Sequence, residues 1–171
     1  MTARLYDLRS TWTLPNGPEA VWDVIADPRL DWSAWWPGCT AVRPVERSRE
    51  AGPSREERLL ASTATFAFRA SLGYTLRVAF HATRVVRLQE VAFDASGDLA
   101  GTGRVGLAAR ADGGTDVVVA WRVRPTRPWM ATLSRVAAPL FVHAHDDLMR
   151  RGEIGLRRHL ATRAAPKDSP A

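Results

Sequence analysis

Trp129 to Leu160, WMATLSRVAAPLFVHAHDDLMRRGEIGLRRHL, is the stretch whose reading decides the fold of this chain. On a helical wheel centred on Phe141, the residues Ala144, His145, Leu148, Met149, Gly152, Gly155, Leu156 and His159 share its face, while Arg150, Glu153 and Arg157 lie opposite. One dry stripe and one wet stripe at a period of 3.6 residues describe an amphipathic helix. Pro139 lacks an N–H and crowds the preceding turn, so a short leading segment should end near Ala138 and the long helix follow it. Asp146 and Asp147 near its start and Arg157, Arg158 and Arg163 near its end suit the helix dipole. Burying Phe141, Leu148, Met149, Leu156 and Leu160 is worth roughly 1.5–3 kcal/mol each, so the helix needs a surface to lie against.

The upstream sequence supplies that surface as strands. Residues 5–14 alternate, with Tyr6, Leu8, Trp12 and Leu14 on one side and Asp7, Arg9, Thr11 and Thr13 on the other. Pro18 and Glu19 open a first short helix, and Asp27-Pro28 closes it. A second short helix is expected over Arg29 to Trp36, stopping at Pro37-Gly38. Further strands follow at Thr40 to Arg47, Arg58 to Arg69, Tyr74 to Ala82, around Val91 to Ala95, Leu99 to Ala109 and Val117 to Val123. The third of the seven opens on Glu56 to Leu60, which has helical propensity. Asp112-Gly113-Gly114 marks a hairpin turn. Short connections between successive strands make an antiparallel sheet, and the order of elements is α+β. One helix does not cover seven flat strands, so the sheet should curve around it. Gly101, Gly103, Gly152 and Gly155, all facing inward, either allow close approach or leave empty volume.

Composition narrows the function. The 171 residues are 46% hydrophobic and 25% charged, as in an ordinary globular domain. We read 1–163 as one domain and 164–171 as a disordered tail. No apolar run of signal-peptide or membrane-spanning length occurs, and one cysteine excludes an intramolecular disulfide. Both point to a cytoplasmic protein without stable membrane insertion. The net charge of +6 is scattered through every segment rather than clustered with aromatics, so no nucleic-acid partner is expected.

Motifs for chemistry are sparse. Gly101-Thr102-Gly103-Arg104-Val105-Gly106 has dinucleotide-binding spacing but sits within a strand, where no helix follows to hold a pyrophosphate. His143 and His145 diverge by about 200° on a helix and do not share a metal ion. No metal site and no cofactor are expected. His145 points to the dry face, either as a core-edge histidine bonded to a backbone carbonyl or as a polar group within a pocket. Three tryptophans within five residues, Trp32, Trp35 and Trp36, either seal the open end of the sheet or turn at least one indole to a cavity, a rim or a partner.

These residues carry a resemblance. The element order is similar to the helix-grip fold of the START-like (SRPBCC) superfamily. Pro18-Glu19-Ala20-Val21-Trp22-Asp23-Val24-Ile25-Ala26-Asp27-Pro28 resembles the first-helix signature of its bacterial polyketide cyclase/dehydrase-like branch. Gly97 to Gly103, Trp121 to Arg124, Pro128-Trp129-Met130 and His145 to Gly152 also resemble that branch, so the likeness spans roughly residues 5–162. It implies an apolar cavity between the curved sheet and the last helix, and transfers no catalytic set. The expected function is binding of a hydrophobic small molecule (a lipid, isoprenoid or polyketide-like compound) by a monomer or homodimer. The expected lining is Trp32, Trp35, Trp36, Phe66, Phe68, Tyr74, Phe80, Phe93, Trp121, Trp129, His145, Leu148 and Met149. Two alternatives remain: a cyclase or dehydratase using His145 and Tyr74 in the same cavity, and a protein-interaction module presenting the tryptophans. No spacing in the chain demands an enzyme.

Overall fold

In a computed structural model of the chain, residues 4–71, 73–133 and 138–164 are described. The strands are β1 (Tyr6–Leu14), β2 (Cys39–Ala41), β3 (Glu46–Arg47), β4 (Ser62–Arg69), β5 (Thr75–Val86), β6 (Glu90–Gly97), β7 (Leu99–Ala109) and β8 (Thr115–Pro125). The helices are α1 (Pro18–Ile25), α2 (Arg55–Leu60), α3 (Pro128–Leu133) and α4 (Ala138–Ala164), with a 3-10 turn at Trp32–Ala34. The sheet is antiparallel in the order β1-β8-β7-β6-β5-β4-β2, with β3 beside β4, and it curls as a half-barrel around α4. Residues beyond Ala164, where the tail was expected, lie outside the described residues.

Successive strands from β4 to β8 pair as hairpins, as short connections require. β1 instead pairs with β8 along its length, Tyr6 opposite Val123 and Leu14 opposite Thr115. The alternation anticipated along β1 and β8 is realised, with Trp12, Leu14, Val117, Val119 and Val123 buried. The free edge of β1 is covered by α4. Glu153 accepts the Thr13 N–H at 3.0 Å, and Arg157 donates to the Thr13 carbonyl. Side chains thereby occupy backbone groups that an open edge would offer to another strand.

Three local expectations are corrected. The second strand exists as two short pieces, β2 and β3, because Pro44 between them has no N–H to give the ladder. β4 begins at Ser62 rather than Arg58, because Arg55–Leu60 is helical. There the Ser54 hydroxyl accepts the Glu57 N–H at 3.1 Å and the Glu57 carboxylate accepts the Ser54 N–H at 2.9 Å, a reciprocal cap that fixes the helix start. The second short helix shrinks to one 3-10 turn, since Leu30 adopts a left-handed φ of 49° that no α-helix accommodates.

α4 buries the anticipated stripe: Ala144, Met149, Gly152, Gly155, Leu156 and Leu160 are buried, and Arg150 and Arg157 are exposed. Its glycines serve close approach, and mainly to the Trp35–Pro37 segment rather than to the sheet. A Cβ on Gly152 would lie 2.6 Å from the Trp36 ring and 3.0 Å from that of Trp12, and one on Gly155 would overlap the Trp35 carbonyl oxygen. Against this bare surface, the Trp36 indole N–H donates to the Leu148 carbonyl at 3.1 Å. On β7, the Phe93 ring occupies the place of a Gly103 side chain. Among the described residues, no helix is long and apolar enough to cross a membrane.

Gly155→Ala must displace main chain, whereas a Cβ on Gly106 meets nothing nearer than 3.8 Å. Urea unfolding should show Gly155→Ala destabilised by about 1–3 kcal/mol or more, and Gly106→Ala changed by no more than about 0.5 kcal/mol. Equal effects would mean that α4 does not touch the Trp35 backbone.

Candidate functional site

Glycine contacts grip α4 near its middle, and the half of the helix before them leaves a space against the curved sheet. A cavity of about 110 Å³ lies there, between the Phe141–Met149 half of α4 and the inner faces of β1 and β4 to β8. Leu8 and Trp12 enter from β1, Phe68 from β4, Leu76 and Val78 from β5, and Val119, Trp121 and Val123 from β8. Trp32, Trp35 and Trp36 close one side, and Met130 of α3 joins the wall. The volume falls below the ~300–1,000 Å³ usual for larger ligands. It is of the order of the ~150 Å³ that accepts a benzene, so one ring or a short chain fits as the side chains stand. A larger molecule requires those at the mouth to move.

The anticipated lining divides in two. Trp32, Trp35, Trp36, Phe68, Tyr74, Phe93, Trp121, His145, Leu148 and Met149 border the cavity. Phe66, Phe80 and Trp129 do not. Trp32 stacks on Phe66, with ring centroids 4.9 Å apart and planes 11° from parallel, which screens Phe66 from the space. Trp121 and Phe93 stand edge-on to Phe80 at 5.3 and 5.4 Å and screen it likewise. Trp129 is 45% exposed and stands edge-on to the lining residue Tyr74 at 5.9 Å. Tyr6, Leu8, Trp12 and Phe141 line the cavity without having been singled out for it. Their signal was present, since all four fall on the dry faces of their elements.

The three clustered tryptophans turn into their own chain: Trp35 and Trp36 are buried and Trp32 is half-buried. A protein-interaction module built on these indoles loses the feature that suggested it.

The polar groups are few. None of the lining residues is Asp, Glu, Lys or Arg. His145 faces Ser10 of β1, with Nε2 3.4 Å from the hydroxyl oxygen, so it meets a side chain there rather than a backbone carbonyl. Burial pushes the His145 imidazole below its ordinary pKa, against a smaller opposing pull from Asp146, and the ring is neutral at pH 7. Burial, with some help from Tyr6, pushes the Tyr74 phenol up, so it stays protonated. The indole N–H groups of Trp12, Trp32 and Trp121 are buried with no hydrogen-bond partner among the described residues. Trp12 is edge-on to Trp36 and Trp121 is edge-on to Phe80, an arrangement in which ring edge and ring face attract. Cys39 is buried, and desolvation, partly offset by Ser33, pushes its thiol up to about 12, so it is no nucleophile. Among the described residues no three His, Cys, Asp or Glu side chains gather as a metal site.

A histidine with a depressed folded-state pKa adds stability that is complete above the unfolded value of ~6.5 and is lost as pH falls towards the folded value. His159, lowered by burial and by Arg163 against Asp31, acts in the same direction. Urea unfolding at about pH 7.5 and about pH 5.5 should show the wild type losing stability across this window. His145→Asn should lose less, keeping the His159 share. An unchanged slope would exclude a buried neutral His145.

No family model matches the sequence, and no curated protein matches it significantly. Solved structures match its shape. A START superfamily protein from Mycobacterium smegmatis superposes with a TM-score of 0.66 at 12% identity, over 92% of this chain and 99% of that one. The Zhui aromatase/cyclase from a Streptomyces species gives 0.66 at 13% identity, over 98% and 100%. A Thermus thermophilus protein gives 0.65 at 16% identity, over 94% and 100%. At such identities the likeness concerns shape alone: the chain has the START-like, helix-grip fold.

Proposed function

We propose that this protein binds a hydrophobic small molecule, such as a lipid, isoprenoid or polyketide-like compound, in the cavity between the sheet and α4. The observation that carries this reading is a concave wall of mainly aromatic and aliphatic side chains without an Asp, Glu, Lys or Arg. Apolar concavities with a few polar points are the common form of small-molecule sites. The START-like and aromatase/cyclase structures of the same shape support it by analogy of fold. In this reading the protein acts in the cytoplasm as a monomer or homodimer and needs neither nucleic acid nor cofactor.

The test is native mass spectrometry of the purified protein before and after organic extraction, with thermal unfolding in the presence of benzene or indole. The expected result is an extractable adduct, or a rise in Tm with added probe. A ligand at 100 times its Kd adds about 2.7 kcal/mol. Neither adduct nor shift would overturn the reading.

A second reading, an acid–base enzyme of cyclase or dehydratase type, is favoured by one observation. A neutral imidazole, His145, and a protonated phenol, Tyr74, border the same cavity, one able to take a proton and the other to give one. Dehydration of a small β-hydroxy ketone should then fall about 100-fold in His145→Ala or Tyr74→Phe. Rates that survive both changes would remove these roles.

A further inference from the structure

The small-molecule reading leaves open what kind of molecule the cavity accepts, and the following rests on that reading. We infer that the site selects a neutral molecule, about one ring in size, with one carbonyl or hydroxyl group seated against the Ser10–His145 pair, and rejects anions of the same size.

Two observations carry this. The first is placement. His145 borders the cavity between Phe141 and Met149 on the inward face of α4, and Ser10, between the lining residues Leu8 and Trp12 on the inward face of β1, meets its ring without being a lining residue itself. The pair thus joins the two walls at one point, across 135 positions of sequence. Its 3.4 Å separation is long beside the usual range of about 2.7–3.2 Å, so this is a weak bond, and a ligand oxygen can replace it at little cost. A hydroxyl and a neutral imidazole each donate one hydrogen bond and accept another, so together they serve either a carbonyl or an alcohol. The second observation is charge. With no Lys or Arg on the wall, a carboxylate entering the cavity would shed its water without gaining a counter-ion. The neutral state of His145 supports this, since the one basic group there offers no positive charge.

Size-matched probes separate these claims: acetophenone, ethylbenzene and benzoate, titrated at about pH 7.5 into the wild type and into Ser10→Ala/His145→Leu, with Ser10→Ala alone as the second variant should the pair fail to fold. The readout is the ratio of acetophenone to ethylbenzene affinity within each protein, because loosened packing weakens both probes and cancels. The ratio should fall by about tenfold in the double variant and about threefold in Ser10→Ala. Benzoate should bind the wild type at least about 100-fold more weakly than acetophenone. Benzoate within about tenfold of acetophenone, or a ratio that does not move, would overturn the inference while ethylbenzene binding keeps the apolar site intact. If none of the three binds the wild type, this inference fails, and if no extractable adduct is found either, the small-molecule reading fails with it.

Discussion

Close contact between the bare backbone of α4 and the Trp35–Pro37 segment is the constraint on which the rest of the molecule depends. Gly152 and Gly155 leave no Cβ on that face, so Trp36 lies flat enough to reach the Leu148 carbonyl and the Trp35 main chain touches the helix. Any larger residue would push this segment outward. Arg151 reinforces the contact by donating to the Arg69 carbonyl at 2.9 Å while pairing with Asp147 at 3.2 Å, which ties the end of β4 to the same turn of helix. The middle of α4 is thereby held against the Trp35–Pro37 segment at backbone distance. The cavity lies against the first half of the helix, where Phe141, Ala144 and Leu148 carry side chains.

Aromatic layering keeps that space from collapsing. Phe66, Phe68 and Phe80 form a floor on β4 and β5, with ring centroids 6.0 to 6.2 Å apart. Trp32, Trp121 and Phe93 lie over the floor and present their other sides to the cavity. Rigid rings held edge to face or stacked do not fold into the void as flexible chains would, because each is wedged by its neighbours. Elsewhere in the lining, Tyr6, Tyr74 and Phe141 meet at 6.1 and 6.3 Å.

One part of the wall is set by a polar device outside the lining. Arg127 holds Asp98 through two bonds of 2.6 and 2.8 Å, and the Arg77 N–H adds a third at 2.8 Å. Burial alone would raise the Asp98 carboxyl, but these donors outweigh it and hold the group below the ordinary carboxylate range. The β6–β7 turn is thus fastened to the segment that leads into α3, whose Met130 forms part of the cavity wall. Placement of that wall residue follows from a charged clamp outside the cavity.

Periodicity in the sequence by itself determined the helix stripe of α4 and the two-residue alternation of β1 and β8, and turn residues determined the hairpin at Asp112-Gly113-Gly114. These depend on neighbours within a turn or a strand, and a local period assigns each side chain to a face. The Ser54–Glu57 cap was equally local, written in a stretch whose helical tendency was visible. Tertiary structure alone decided depth within a face. Phe66 and Tyr6 both point inward, yet Phe66 lies in a second layer under Trp32 and Tyr6 borders the cavity, because residues far away in sequence cover one and not the other. It also decided the pairing of β1 with β8, the meeting of Ser10 with His145, and the role of Gly152 and Gly155. A missing side chain is the same letter whether it admits a neighbour or leaves a void, and only the approach of Trp35 and Trp36 distinguishes the two.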